Sequence, residues 1–136
     1  MNRKEKVQLI IVDDNPIFLE GVTAYLSKLE QFEIVAVFSS GPSLLEEIDN
    51  YDPDLILLDI EMPWLNGLET AKRLSSHGMR LKLIALTMYY DDIYIRKLIE
   101  AGFMGFVNKN NVSENLVQVI ETVLNGELAF PETDKP

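Results

Sequence analysis

Residues 55–63 read LILLDIEMP, an apolar run that ends in an aspartate and is followed by a loop containing a proline. A short apolar run bounded by turn residues is typical of a strand buried on both faces of a parallel sheet. Other runs of this kind also end beside polar residues: 7–12 before Asp13 and Asp14, 81–86 before Thr87, and 103–107 before Lys109. Because the carboxyl ends of parallel strands meet at one edge of a sheet, we expect Asp13, Asp14, Asp59, Thr87 and Lys109 to converge there.

Segments with helical spacing of apolar residues alternate with these runs. Asn15 is an N-cap candidate, Pro16 suits the first helical position, and the first helix is expected to extend to about Leu29. Residues 33–38 are β-like. The later helices are expected near 44–48 after a break at 39–42, from Gly67 to about Gly78, near 93–101, and from a capping Ser113 to about 124.

Strict alternation of five strands and five helices predicts an α/β domain with a doubly wound parallel sheet and helices on both faces. Right-handed crossovers leave few topologies, and we predict strand order 2-1-3-4-5. That order places strands 1 and 3 side by side, so that Asp13, Asp14 and Asp59 meet. We expect one domain over residues 1–126 and a linker-like tail over 127–136.

Composition excludes several classes of function. The chain of 136 residues has no cysteine and one histidine, which excludes disulfides, thiol catalysis and cysteine-ligated zinc. The formal charge of -10 disfavours binding of nucleic acid by this chain itself. No apolar run approaches the ~20 residues that span a bilayer, and the N-terminal apolar run is too short for a secretory leader. We expect no membrane association and a cytoplasmic protein.

The expected cluster points to phosphate chemistry. Crowded carboxylates repel one another unless a cation intervenes, and Mg²⁺ typically binds one or two carboxylates together with phosphate oxygens. Lys109 and Thr87 supply a positive charge and a hydroxyl donor suited to a phosphoryl group in transfer. An aspartate can itself be the nucleophile, and Asp59 at the end of the central strand is the best candidate.

Together these motifs resemble a known family, the receiver domain of bacterial two-component response regulators, which has a flavodoxin-like fold. The resemblance covers essentially residues 7–126. It rests on the order and spacing of Asp13-Asp14, LLDIEMP at 57–63 with Gly67 beyond it, Leu86-Thr87, and AGFMGFVNK at 101–109.

The resemblance implies that Asp59 is the phosphoacceptor and takes its phosphoryl group from a phosphohistidine of a sensor histidine kinase. Asp14, Asp59 and the backbone carbonyl of Glu61 would hold Mg²⁺, with Asp13 contributing through water. The domain would not be an enzyme, although it would catalyse its own phosphorylation and dephosphorylation.

The resemblance also implies a switch. Lys109 and Thr87 would contact the phosphoryl group, and Phe106 would turn inward as Thr87 moves. The face formed by the fourth helix, fifth strand and fifth helix would then change its population of states.

This chain departs from the family's pattern after Lys109, where Asn110 replaces the proline of many members. Glu61 and Tyr89, two residues past Asp59 and Thr87, are expected to tune the lifetime of the phosphorylated state, in a direction left open.

Several aromatic residues lie near the expected site. Trp64 is expected to pack against the protein. Met88, Tyr89, Tyr90 and Tyr94 either line an interaction surface or cover the edge of the core. His77 and the basic residues at positions 3, 4 and 6 are expected to be solvent-facing.

The tail resembles the linker of regulators whose receiver precedes a LuxR-type or NarL-type helix-turn-helix domain. We therefore expect DNA to be bound through such a C-terminal domain, and a homodimer that depends on phosphorylation is possible. A stand-alone regulator and a docking-only pseudo-receiver are the alternatives. An aspartyl-phosphate phosphatase of the haloacid dehalogenase type is disfavoured, because that family has Asp-x-Asp on its first strand.

Overall fold

A computed structural model describes residues 5–76, 78, 81–89 and 91–130. The expectations for Arg3, Lys4, His77 and Tyr90, and for the tail beyond residue 130, lie outside the described residues.

Five strands and five α-helices alternate within the described residues, as the sequence predicted. They are β1 (Val7–Val12), α1 (Pro16–Ser27), β2 (Phe32–Phe38), α2 (Gly41–Glu47), β3 (Leu55–Asp59), α3 (Gly67–Ser76), β4 (Leu83–Thr87), α4 (Asp92–Glu100), β5 (Gly105–Asn108) and α5 (Val112–Leu124). Single turns of 3-10 helix follow α2 at Ile48–Asn50 and β5 at Lys109–Asn111.

The strands form one parallel sheet in the order β2-β1-β3-β4-β5, which confirms the predicted topology. Val12 pairs with Leu58, so the residues that follow β1 lie beside the end of β3. Asp59 pairs with Leu86, which places Thr87 just beyond Asp59 on the neighbouring strand. The register alone therefore brings the polar strand ends together at one edge of the sheet.

The core has one layer on each face of the sheet. Every residue of β3 and β4 is buried, which explains why these strands show no alternation of apolar and polar residues. One layer contains Leu9, Ile11, Leu57 and Leu86 with residues of α1 and α5, and the other contains Ile10, Val12, Leu58 and Ala85 with residues of α2, α3 and α4.

Local signals placed most helix starts correctly. Asn15 caps α1, where its side-chain oxygen accepts hydrogen bonds from the N–H groups of Ile17 and Phe18. The break expected at 39–42 is too long, because Ser40 caps α2 and the helix begins at Gly41. The proline at position 42 lies in the first turn, where its missing N–H costs nothing. The prediction that Ser113 caps the last helix was also wrong, since α5 already begins at Val112.

The first residues of the predicted tail lie along the free edge of β5. Ala129 pairs in parallel with Gly105, donates its N–H to the carbonyl of Met104 (2.8 Å), and accepts a hydrogen bond from the N–H of Phe106 (3.1 Å). Phe130 packs against the core layer that contains Phe106. The segment 127–130 therefore contacts the sheet directly.

None of the helices within the described residues has the length and apolar character needed to cross a membrane.

The loop after Asp59 leaves no room for a side chain at Gly67. A Cβ there would lie 2.8 Å from the Cα of Ile60 and closer still to the backbone oxygen of Asp59. We expect Gly67→Ala to lower the free energy of unfolding by roughly 1–3 kcal/mol, as overpacking does, measured by urea denaturation.

Gly21 is the matched control for this substitution. It lies within α1, and nothing is within 4 Å of a Cβ at that position. Gly21→Ala is expected to raise stability by up to ~1 kcal/mol through helix propensity. Equal effects at the two glycines would contradict the close approach of α3 to the end of β3.

Candidate functional site

Three carboxylates meet where β1 and β3 end. Asp13 and Asp59 are completely buried, whereas Asp14 is exposed. One oxygen from each lies within 4.8 Å of the others. The predicted meeting of these residues follows from the pairing of β1 with β3.

Lys109 provides the positive charge at this cluster. Its Nζ lies 2.7 Å from Oδ2 of Asp13 and 3.2 Å from Oδ1 of Asp59, and also 4.8 Å from the centre of the Phe18 ring. Both carboxylates are fully buried, and removing one partner of such a pair typically costs about 3–5 kcal/mol. Lys109 therefore holds the ends of β1, β3 and β5 together.

Backbone N–H groups donate further hydrogen bonds to the two buried carboxylates. Oδ1 of Asp13 accepts a hydrogen bond from the N–H of Asn15 (2.9 Å), and Oδ1 of Asp59 accepts one from the N–H of Glu61 (3.1 Å). Oδ2 of Asp59 is buried and accepts no hydrogen bond from any described residue. This oxygen is the one the fold leaves open for a ligand or a reaction.

The site is short of positive charge. Burial, and then the charge of Asp13, raise the pKa of Asp59 to about 7, although Lys109 acts in the opposite direction. Burial lowers the pKa of Lys109, but its hydrogen bond to Asp13 and the charges of Asp13 and Asp59 outweigh burial, and the net shift is upward. Lys109 therefore stays charged, and one ammonium does not fully offset the buried carboxylates.

A metal cation fits this arrangement. The cluster offers oxygen donors alone, which is the ligand set of a hard divalent cation such as Mg²⁺. Asp14 is exposed, so the cluster is open to solvent on its side.

Thr87, Glu61 and Tyr94 form a second group beside the carboxylates. The hydroxyl of Thr87 donates to Oε2 of Glu61 (2.5 Å), and the hydroxyl of Tyr94 donates to the same oxygen (3.1 Å). The N–H of Tyr89 donates to Oγ1 of Thr87 (3.1 Å). Burial and the charge of Glu61 raise the pKa of Tyr94 further above its usual range, so its phenol stays protonated.

Sequence reasoning missed the part that Tyr94 plays here. It treated Tyr94 only as a surface or core-edge aromatic, whereas its hydroxyl reaches the loop after β3. Met88 and Tyr89 have exposed side chains, so Tyr89 contacts the site through its backbone N–H. No local pattern links a helix residue to a glutamate 33 positions away, because packing of the two segments sets that contact.

Trp64 does not pack against the protein, contrary to the expectation. Its side chain is 92% exposed and its φ is +66°, a left-handed conformation that is uncommon for a residue with a bulky side chain. The turn after Pro63 decides this orientation.

Phe106 lies buried in the core layer that faces α4. Its ring is therefore already inside the protein in this structure. Its N–H donates to the carbonyl of Ala129, so the residue proposed as a switch also contacts the segment 127–130.

The residue after Lys109 shapes the adjoining turn. The side chain of Asn108 accepts a hydrogen bond from the N–H of Asn110 (2.8 Å) and caps the turn Lys109–Asn111. Proline has no N–H and could not donate this hydrogen bond, so this form of the turn depends on Asn110 in place of the proline of many family members.

Comparison with known proteins identifies the family to which this fold belongs. The profile of the response regulator receiver domain matches residues 9–121. The chain therefore belongs to the response regulator receiver domain family.

Curated relatives are transcriptional regulators by name. The chain is 32% identical to the transcriptional regulatory protein DegU of Brevibacillus brevis, over 90% of this chain and 52% of DegU. It is 30% identical to the transcriptional regulatory protein LnrK of Bacillus subtilis, over 92% of this chain and 57% of LnrK. The chain thus spans little more than half the length of these relatives.

Solved structures agree on the fold. A LuxR-family two-component response regulator from Aurantimonas superposes with a TM-score of 0.86 at 26% identity, covering 92% of this chain and 89% of that one. The receiver domain of the response regulator NarL from Mycobacterium tuberculosis superposes with a TM-score of 0.84 at 27% identity, covering 91% and 100%.

The raised pKa of Asp59 predicts how stability depends on pH in metal-free buffer. The folded pKa of about 7 lies above the ordinary value of 3.8, so the folded state holds a proton that the unfolded state releases. Asp59 therefore costs stability as the pH rises through this window. The free energy of unfolding of Asp59→Asn, minus that of wild type, is expected to rise on the order of 1 kcal/mol or more from about pH 5 to about pH 8.

Urea denaturation with a chelator present measures this gain as the difference between variant and wild type at each pH. Asp52→Asn removes a carboxylate from an exposed position and serves as the control, for which the difference is expected to stay constant. A constant difference for Asp59→Asn as well would show that its buried carboxylate carries no excess cost.

Proposed function

We propose that Asp59 is the phosphoacceptor of a two-component system and takes its phosphoryl group from a phosphohistidine of a sensor histidine kinase. The observation that carries this proposal is the state of Asp59. Its Oδ2 is buried without a hydrogen bond, while Oδ1 is held by Lys109 and by the N–H of Glu61. One oxygen is fixed and the other is available as a nucleophile.

In the transfer, Oδ2 of Asp59 forms a bond to phosphorus as the bond from phosphorus to the histidine nitrogen breaks. The nitrogen leaves with the electron pair, and Asp59 becomes an acyl phosphate. Lys109 supplies a fixed positive charge to the phosphoryl oxygens, and the hydroxyl of Thr87 supplies a hydrogen bond. Asp59 reacts as the carboxylate, a form that Lys109 favours and that burial and the charge of Asp13 oppose.

The carboxylates of Asp13, Asp14 and Asp59 and the backbone carbonyl of Glu61 would hold Mg²⁺, with Asp13 acting through water. When bound, the ion offsets the charge of the carboxylates and the phosphoryl oxygens. The open oxygen of Asp59 and the excess of buried negative charge support this assignment.

The domain acts as a signalling switch that catalyses its own phosphorylation and dephosphorylation. Because each chain carries one phosphoacceptor, uptake is stoichiometric. Thr87 and Phe106 pass the change to the α4 side of the sheet, and Glu61 and Tyr89 tune its lifetime.

The whole protein binds DNA through a separate C-terminal domain of the LuxR or NarL type and works in the cytoplasm. The names of the relatives and their greater length support this part of the proposal. The charge of -10 argues against DNA binding by the receiver itself. The bond between the N–H of Phe106 and Ala129 offers a physical route from the switch to the chain that follows.

The test is phosphorylation by acetyl phosphate with Mg²⁺, followed by intact mass. Wild type and the exposed control Asp52→Asn are expected to gain one acid-labile phosphoryl group, and a chelator is expected to prevent it. Asp59→Asn is expected to gain none, because an amide is not a nucleophile for this step.

Undiminished uptake by Asp59→Asn would rule out the assignment of the acceptor. Sustained release of p-nitrophenol from p-nitrophenyl phosphate would instead support a phosphatase. Size-exclusion chromatography with beryllofluoride and Mg²⁺ measures whether the modified state forms a homodimer.

A further inference from the structure

Glu61 joins two parts of the protein through one oxygen. Its Oε2 accepts hydrogen bonds from Thr87, at the end of β4, and from Tyr94, in the first turn of α4. Tyr94 is held a second time, since its N–H donates to Oδ1 of the capping Asp91 (2.8 Å). The loop after Asp59 is thereby tied to the start of α4.

The one proton of the Thr87 hydroxyl is engaged by these contacts. A hydroxyl has a single proton to donate, and Thr87 donates it to Glu61. Its oxygen also accepts from the N–H of Tyr89. Thr87 therefore cannot donate to a phosphoryl oxygen on Asp59 while it donates to Glu61.

We propose that Glu61 is a positioning residue that holds Thr87 in the unmodified state and, through Tyr94, connects that state to the first turn of α4. This proposal rests on the proposed function, in which Thr87 donates to the phosphoryl group on Asp59. A phosphoryl group must then compete with Glu61 for one proton.

The connection works in both directions. If the phosphoryl group takes the proton of Thr87, Glu61 loses one of its two donors, and the chain of hydrogen bonds that joins Thr87 through Glu61 to Tyr94 is broken. By linkage, any change that weakens the hold of Glu61 on Thr87 favours the phosphoryl-bound state by the same factor. Glu61 thus sets the balance between the two states of the domain.

Charge repulsion between Glu61 and a phosphoryl group is the competing explanation, and two substitutions separate it from the proposal. Glu61→Ala removes both the charge and the acceptor oxygen. Glu61→Gln removes the charge but keeps an amide oxygen that can accept from Thr87. Repulsion alone predicts equal effects for the two variants, whereas the proposal predicts a smaller effect for Glu61→Gln.

The experiment measures the affinity of beryllofluoride, a phosphoryl stand-in, by calorimetry with Mg²⁺ present. We expect Glu61→Ala to bind roughly 3- to 10-fold more tightly than wild type, the range that the net contribution of one ordinary hydrogen bond gives. Glu61→Gln is expected to lie between Glu61→Ala and wild type. The control Glu69→Ala removes an exposed glutamate on α3 and is expected to match wild type.

Each outcome decides the question. Equal affinities for Glu61→Ala and Glu61→Gln, or an affinity of Glu61→Ala no higher than that of wild type, would overturn the proposal while leaving the phosphoacceptor role intact. No binding by wild type would overturn the proposed function and this inference with it.

Amide hydrogen exchange tests the connection to α4 independently. In wild type, beryllofluoride is expected to speed exchange at the amides of Tyr94 and Ile95 by about 3-fold or more. Tyr94→Phe should exchange these amides at the faster rate even without beryllofluoride, because it lacks the hydroxyl that donates to Glu61. Tyr25→Phe, which loses a hydroxyl bonded to the carbonyl of Ser113, is the control and should not. If the exchange rates in Tyr94→Phe equal those of wild type, the proposed connection between Glu61 and α4 is wrong.

Discussion

The burial of two like charges at one edge of the sheet is the constraint on which the rest of this structure depends. Asp13 and Asp59 lie side by side without solvent, and such a pair persists only where other groups compensate it. Lys109 reaches both carboxylates from β5, and backbone N–H groups hold one oxygen of each. The compensation is incomplete, as the raised pKa of Asp59 shows. The same deficit that costs stability prepares the site for a cation and for a phosphoryl group.

The proposed switch would follow from a second constraint, the single proton of a buried hydroxyl. In that proposal Thr87 donates either to Glu61 or to a phosphoryl oxygen, and the two arrangements are the two states of the domain. Tyr94 connects the choice to α4, on the face of the sheet where Phe106 is buried. The segment 127–130 adds a contact on β5, at the N–H of Phe106 itself. The site and the edge of the sheet that the segment 127–130 contacts are thus joined through β4 and β5.

Sequence reasoning was most successful where one residue type has one physical role. Apolar runs ending in polar residues predicted the strands, and their alternation with helices predicted the topology. It failed where the role depends on surroundings. A proline at position 42 was read as a break, although it lies in the first turn of a helix. Ser113 was read as a cap, although the N-cap is Asn111, whose side chain makes no capping hydrogen bond. Trp64 was expected to pack because it is large and apolar, yet the backbone of its turn directs it outward.

By itself, the sequence determined the strands, their order and the polar residues that gather at their ends, because parallel strands leave those residues little choice of location. Only the tertiary structure decided which atoms meet: that Lys109 contacts both aspartates, that one oxygen of Asp59 stays open, and that Glu61 receives hydrogen bonds from both Thr87 and Tyr94. These contacts depend on side-chain directions and loop paths. Such directions are set to a fraction of an ångström by packing, whereas sequence patterns specify only the face and the end of an element.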